Sequence, residues 1–252
     1  MTMRNKPMAS ETFKRFDFKA TVNFTGYADR AKLMDDEFLR VGLDDVYRIW
    51  NFPCPFDKVL QDRLNHVRLM GNIGFFNSVM GHYRAIKTAY CLGAQQCLVM
   101  EDDIRFLKDL NMLGDIVKDL PEDYDVALFD VLRPQKIPLP EFVKHVKADR
   151  ASKYWVRFTN ARSAGCYALR RKAMQRWIDA VESPALGKNG KMRLADQYFN
   201  MAHIGLDLHA YHAAPVAARQ VLVGAGKSNS GFSDLDAWYR SIGCDPCAYG
   251  ST

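Results

Sequence analysis

Three carboxylates stand side by side at Glu101, Asp102 and Asp103, directly after the wholly apolar run Cys97-Leu98-Val99-Met100. Adjacent carboxylates repel one another unless a cation or strong hydrogen-bond donors compensate. Hard oxygen ligands of this kind suit Mg2+ or Mn2+, which keep water and bind substrate phosphates at their remaining positions. A short, fully apolar run reads as a central strand covered on both faces. The triplet therefore falls at a strand's C-terminal end, where open α/β sheets bind ligands. Strand alternation turns Glu101 and Asp103 to one side and Asp102 to the other. The blander alternative is an acidic loop capping the next segment, with Arg105 and Lys108 as partners.

Other residues could join such a site. Asp130 ends a second apolar run, Val126-Ala127-Leu128-Phe129, and Asp196 follows a Gly-containing turn within Leu194-Ala195-Asp196-Gln197. An aspartate near a helix N-terminus serves as a cap or dipole partner, or as a base if it reaches an acceptor hydroxyl. Gly71-Asn72-Ile73-Gly74 precedes Asn77-Ser78-Val79-Met80-Gly81-His82, a helix start able to cradle a phosphate. The spacing matches neither a P-loop nor a dinucleotide fingerprint. His82 shares a stripe with Val79 and Ile86, the position of a hydrogen-bonded core histidine. Among His203, His209 and His212, strand spacing sets His209 with Tyr211 on one face and His212 on the other. They are not a ready-made metal set, although His209 is a candidate to complete a cation's shell. Cys244-Asp245-Pro246-Cys247 has neither four-ligand nor redox context and reads as incidental.

The elements that would position these groups follow from periodicity. Lys19 to Phe24 reads as a strand, and Asp29 to Val41 as a helix stopped by Gly42. Residues 44–56, with Trp50, Phe52, Pro53 and Pro55, support neither period and read as a packed loop. Asn77 to Tyr90 carries the clearest apolar stripe, with Gly93 as its stop. A helix near Asn111 to Leu120 and the strand at Val126 to Phe129 follow. After a Pro- and Lys-rich loop over residues 133–152 come strands at Tyr154 to Phe158 and Cys166 to Leu169, then a helix at Arg171 to Val181. A Gly-containing turn from Pro184 to Lys191, a short helix from Leu194 to Ala202 and a final strand at Leu206 to Tyr211 complete the domain.

The 252 residues are 48% hydrophobic and 12% aromatic, enough for one cored α/β domain. We read residues 1–18 as a leader, 19–222 as the domain and 223–252 as a C-terminal extension. The six cysteines are scattered through core-like segments, which fits a reducing cytoplasm rather than a disulfide framework. No run matches a signal peptide or a bilayer span. Positive charge is dense between Arg133 and Arg171. Zinc-finger spacing, an RRM-type aromatic signature and an unbroken basic helix are all missing, so nucleic acid is not the expected partner. A polyanionic substrate, an anionic membrane face or simple solvation accounts for the basic stretch.

Taken in order, Val22-Asn23 with Arg30, Asn77 to His82, Leu98 to Asp103, Ala164 to Leu169 with Arg171-Lys172-Ala173, Asp196-Gln197, and Pro215 with Gln220 resemble glycosyltransferase family 25. These are bacterial proteins of lipopolysaccharide and lipooligosaccharide synthesis, similar also to collagen galactosyltransferases. The likeness runs from about residue 20 to 222, with Asn77-Ser78 where the family has Gly-Cys and Gly81 where it has Ser.

The resemblance implies a GT-A-like fold, a Rossmann-type mixed sheet flanked by helices. It implies transfer of a hexose, galactose above all, from a UDP-hexose to a saccharide or lipid-linked saccharide, in the cytoplasm or peripherally at the inner membrane. Asn23, Arg30, His82, Glu101 and Asp102 would bind the donor, with Glu101 at the ribose. Asp103 would hold Mn2+ or Mg2+ at the diphosphate. Asp196 would be the base of an inverting displacement, with Asp130 in reserve. Two rival readings are a metal-dependent phosphoesterase, which also places carboxylates at strand ends, and a nucleotide- or saccharide-binding module with a degraded site.

Overall fold

Along Phe18–Phe24 (β1) alternate side chains face opposite layers, and both layers are covered. Phe18, Ala20 and Val22 join one core cluster, while Thr21 and Asn23 are fully buried on the other face. Double coverage is what a central strand of an α/β sheet demands. A computed structural model describes residues 11, 13–24, 28–51, 73–130, 150–157, 164–182 and 208–221. After β1 come Ala28–Val41 (α1), Val46–Asn51 (β2), Ile73–Cys91 (α2), Gln96–Glu101 (β3), Ile104–Phe106 (β4), Leu110–Lys118 (α3) and Val126–Leu128 (β5). Trp155–Arg157 (β6), Cys166–Arg170 (β7), Arg171–Glu182 (α4), Ala210–Ala213 (β8) and Ala218–Gln220 (β9) complete the order.

The chain is an α/β protein with a mixed seven-stranded sheet in the order β2-β1-β3-β7-β5-β8-β6, beside a two-stranded sheet of β4 and β9. Strands β1, β2 and β3 are mutually parallel, β5 and β8 are parallel, and β7 runs antiparallel between β3 and β5. Helices α2 and α4 supply Val79, Ile86, Ala89, Met174 and Trp177 to one face. Helices α1 and α3 supply Met34, Phe38, Leu113 and Ile116 to the other. The flanked sheet is compatible with a Rossmann-like fold. From β1 the chain steps outward to β2, then α2 precedes β3 on β1's other side, so the order reverses between β1 and β3. Such a reversal opens a crevice at the carboxyl ends of the strands.

Several expectations shift. Residues 46–51, read as part of a loop, form the edge strand β2, and the long exposed side chains of Tyr47 and Trp50 disguised its period. Strands β4 and β9, three residues each, are too short to leave a periodic trace. The strand read as final at Leu206 to Tyr211 lies instead at Ala210–Ala213, and β9 follows it. Phe13 and Phe16, inside the stretch read as a leader, are buried, with Phe13 edge-on to Phe106 at 5.6 Å and Phe16 edge-on to Phe129 at 6.2 Å. Gly42 (φ 68°) and Gly93 (φ 84°) end α1 and α2 in the left-handed conformation that favours glycine. Cys91, Cys97 and Cys166 are free thiols. Among the described residues no helix is long and apolar enough to cross a membrane.

Candidate active site

Strand β3 ends at Glu101, which lies in register with Val22 of β1 and so shares the face covered by α2. There it meets His82, fully buried in α2, whose Nε2 is 3.2 Å from Glu101 Oε1 and whose Nδ1 is 2.8 Å from the Tyr167 hydroxyl. Burial, reinforced by Cys97 and Glu101, pushes the Tyr167 phenol well above its ordinary 10.0, so the hydroxyl keeps its proton. The imidazole thus bridges the Tyr167 hydroxyl and the Glu101 carboxylate, the direction of the Tyr167 contact being set by its tautomer. Gln220 Nε2 donates to the other carboxylate oxygen, and the Glu101 N–H donates to Gly165 O at 2.7 Å. Glu101 is thus held by His82 of α2, by Gly165 just before β7 and by Gln220 of β9.

Alternation stops with the strand. Asp102 and Asp103 form the turn into β4, and Arg30 from α1 reaches both, at 3.1 Å to Asp102 Oδ1 and 3.4 Å to Asp103 Oδ2. The pattern expected from an uninterrupted strand is therefore corrected: Asp102 and Asp103 act together on the α1 side, and Glu101 stands apart. Arg105, considered as a partner of the triplet, donates to the carbonyls of Leu33 and Ile104, both at 3.2 Å, and it is Arg30 that fills the role.

Burial raises the Asp103 carboxyl well above its ordinary 3.8; Glu101 adds to the rise, Arg30 opposes it, and Asp102 and Asp130 add further. Its Oδ1 is buried without a hydrogen bond, while its backbone carbonyl accepts the Val221 N–H at 2.7 Å. Asp130, just beyond β5, is completely buried and accepts the Cys166 N–H at 3.0 Å. Gly165 makes this proximity possible, since a Cβ there would stand 2.4 Å from Asp130 Oδ2 and 3.1 Å from Gln220 Cγ. Asn23 lies one residue beyond the Val22–Glu101 pair, fully buried, with neither amide atom hydrogen-bonded.

The carboxyl edge thus gathers Asn23, Arg30, His82, Glu101, Asp102, Asp103 and Asp130. His209 is not among them. It precedes Ala210, which pairs with Val126 at the start of β5, so it sits on the opposite edge and bonds Asp123 at 2.8 Å. Asp196, His203 and the Gly71-Asn72 pair lie outside the described residues; Ile73 and Gly74 are the opening residues of α2. Tyr167, Gly165 and Gln220 received no role from sequence. Gln220 sits 119 residues from the carboxylate it holds, a separation that leaves no local signal.

Among the described residues no group of three or more His, Cys, Asp or Glu side chains is arranged to hold a metal ion. The donor set nevertheless fits a hard cation held by one carboxylate: Asp103 presents a buried, unbonded oxygen among three other carboxylates, and such ions take further ligands from phosphate and water. Neither protein-family models nor curated proteins give a match to this chain.

Proposed function

We propose that this protein is a cation-dependent glycosyltransferase of GT-A type, similar to family 25, that moves a hexose, galactose by the resemblance, from a UDP-sugar to a saccharide acceptor in surface-polysaccharide synthesis. One observation carries the reading: Asp103, crowded by Glu101, Asp102 and Asp130 and opposed by Arg30, sits at the reversal point of the sheet with an unbonded buried oxygen. Mn2+ or Mg2+ bound by Asp103 would neutralise charge on the departing nucleoside diphosphate.

The chain's own groups divide the remaining work. Arg30 fixes Asp102 and Asp103 and is near enough to meet a diphosphate oxygen once a ligand competes for it. Glu101, aimed by His82 and Gln220, accepts from a ribose hydroxyl in this reading. Asp130 is fully buried, with Oδ1 accepting from the Cys166 N–H, which leaves Asp196 as the base that takes the acceptor's proton.

Thermal unfolding with a panel of nucleoside diphosphates, with and without Mn2+, tests the reading. UDP at a hundredfold excess over its Kd should stabilise the protein by about 2.7 kcal/mol, only when Mn2+ is present and not in Asp103→Ala. No response to any nucleotide in any metal would sink the proposal. Acceptor-independent hydrolysis of UDP-galactose should vanish in Asp196→Asn; activity retained there moves the base elsewhere.

A further inference from the structure

At the edge of the sheet opposite the crevice, two arginines converge on one buried ring. Arg170 closes β7 in register with Gln96, the first residue of β3, and Arg15 stands just ahead of β1. The guanidinium carbon of Arg170 lies 5.0 Å and that of Arg15 5.8 Å from the centroid of the Tyr124 ring. Tyr124 is completely buried, and its hydroxyl donates to Gln96 Oε1 at 2.7 Å. Arg15 is pinned further by a 2.8 Å hydrogen bond from Nη1 to the Val117 carbonyl in α3. The scaffold itself therefore positions both heads, so ordering them adds little to the cost of binding an anion.

One carboxylate reaches across the pair. Glu122 Oε1 is 3.8 Å from Arg15 Nη2, and its Oε2 is 3.6 Å from Arg170 Nη2. Both separations exceed hydrogen-bond length, and the Glu122 side chain is 88% exposed against 20% and 35% for the two arginines. Arg170 Nε is buried without a hydrogen bond. The acidic residues on either side of Tyr124 are committed elsewhere. Asp123 bonds His209 at 2.8 Å and the Tyr211 hydroxyl at 2.9 Å, while Asp125 accepts the His209 N–H at 2.9 Å and pairs with Lys172 at 3.7 Å. Two cations held this close repel each other, and a long, exposed ion pair offsets little of that repulsion. The Glu122 carboxylate thus marks a point from which a single oxyanion meets both guanidiniums.

We infer that Arg15 and Arg170 form a phosphate-binding site in which the anion takes the place of the Glu122 carboxylate. A phosphate monoester carries close to two negative charges near neutral pH, which answers two guanidiniums more fully than one carboxylate does, and guanidinium forks match its oxygens. Glu122 is then a competitor, and its exposure lets it swing aside. The phosphate belongs to a soluble compound or to the headgroup of an anionic lipid, and the chemistry at the arginines is the same for both. The site stands apart from the donor crevice by the length of β3 and does not depend on the transferase reading.

Calorimetric titration of the whole chain with inorganic phosphate, in the presence of a chelator and at fixed ionic strength, tests this on wild type, Glu122→Gln, Arg15→Gln and Arg170→Gln. Affinity should rise about threefold to fivefold in Glu122→Gln, the worth of an exposed ion pair. It should fall about tenfold or more in each arginine variant, the loss of a charge-assisted hydrogen bond. Because Glu122 is exposed, its substitution leaves the fold intact, and the gain is readable even where an arginine variant unfolds. Sedimentation with phosphatidylcholine vesicles, with and without phosphatidic acid, distinguishes the sources. Binding that requires phosphatidic acid and strengthens in Glu122→Gln makes the ligand a headgroup, and phosphate binding without sedimentation makes it a soluble compound. No phosphate binding by wild type or Glu122→Gln overturns the site. So does an affinity unchanged or lowered in Glu122→Gln, or one retained in folded Arg170→Gln.

Discussion

Replacing Gly165 with alanine would put a methyl carbon 2.4 Å from Asp130 Oδ2, 2.9 Å from Ile104 Cδ1 and 3.1 Å from Gln220 Cγ. Each of the three is held by other contacts. Asp130 is fully buried and tied to the Cys166 N–H, Ile104 is a core residue of β4, and Gln220 is bonded to Glu101. Overpacking of a rigid site costs about 1–3 kcal/mol. The 2.4 Å contact, more than an ångström inside ordinary van der Waals range, argues for the upper half of that span. In a chain of this size each kcal/mol moves Tm by roughly 2–4 °C, so a fall of about 4–12 °C is expected, measured by circular dichroism. If displacement of Asp130 is the cause, Asp130→Ala should make the two changes less than additive, because the small side chain admits the methyl group. An unchanged Tm, or strict additivity in the double variant, would refute the account of why glycine stands here.

The remaining predictions concern the charged groups. Asp103→Asn should stabilise the unliganded protein by about 0.5–2 kcal/mol while abolishing its response to Mn2+. Because the folded-state pKa lies above the ordinary 3.8, the native contribution of Asp103 is fully present below that value and lost as pH rises through the folded pKa. The advantage of asparagine should therefore grow with pH, and a Tm series from pH 4 to 8 that shows the reverse slope contradicts the assigned cause. Arg30→Ala strips the buried Asp102 of an ion partner and should cost about 3 kcal/mol at neutral pH, a penalty shrinking at lower pH as Asp103, raised by burial, takes up its proton; urea unfolding at pH 7 and pH 4 reads it. Tyr167→Phe leaves His82 Nδ1 buried without its hydroxyl partner and should cost about 1–3 kcal/mol. Urea midpoints indistinguishable from wild type would show that the hydroxyl does not fix the imidazole.

Much of the scaffold was legible because local rules agreed. Cys97 to Met100, Val126 to Phe129 and Cys166 to Leu169 are apolar runs that could only be covered strands, and Gly42 and Gly93 mark helix ends by a conformation other residues avoid. The position of the triplet at a strand end follows from the same runs. What failed was whatever depends on partners distant in sequence. Alternation gave the wrong grouping of Asp102 because the strand stops at Glu101 and a turn resets the side chains. His209 and Tyr211 were legible as neighbours on one face, but which edge of the sheet they occupy depends on the pairing of β8 with β5, and no local pattern encodes that. β2 escaped notice because an edge strand buries too little to need an apolar alternation, and Tyr47 and Trp50 stay exposed along it.

The division of the triplet between two faces gives its members different chemistry. Glu101 is steadied by His82 and Gln220, which orient its two carboxylate oxygens. Asp102 and Asp103 share Arg30, with Glu101 and Asp130 close enough to raise Asp103 further. Among the described residues Arg30 is the guanidinium that meets Asp102 and Asp103, and burial with the neighbouring carboxylates still raises the Asp103 carboxyl, a state that either a proton or a cation would relieve. A proton does so without using the orientation of Glu101 or the unbonded oxygen of Asp103; a cation with a diphosphate behind it uses both. In the proposed reading this arrangement, held by a buried scaffold, would suit a ligand that arrives as an anion with its own metal.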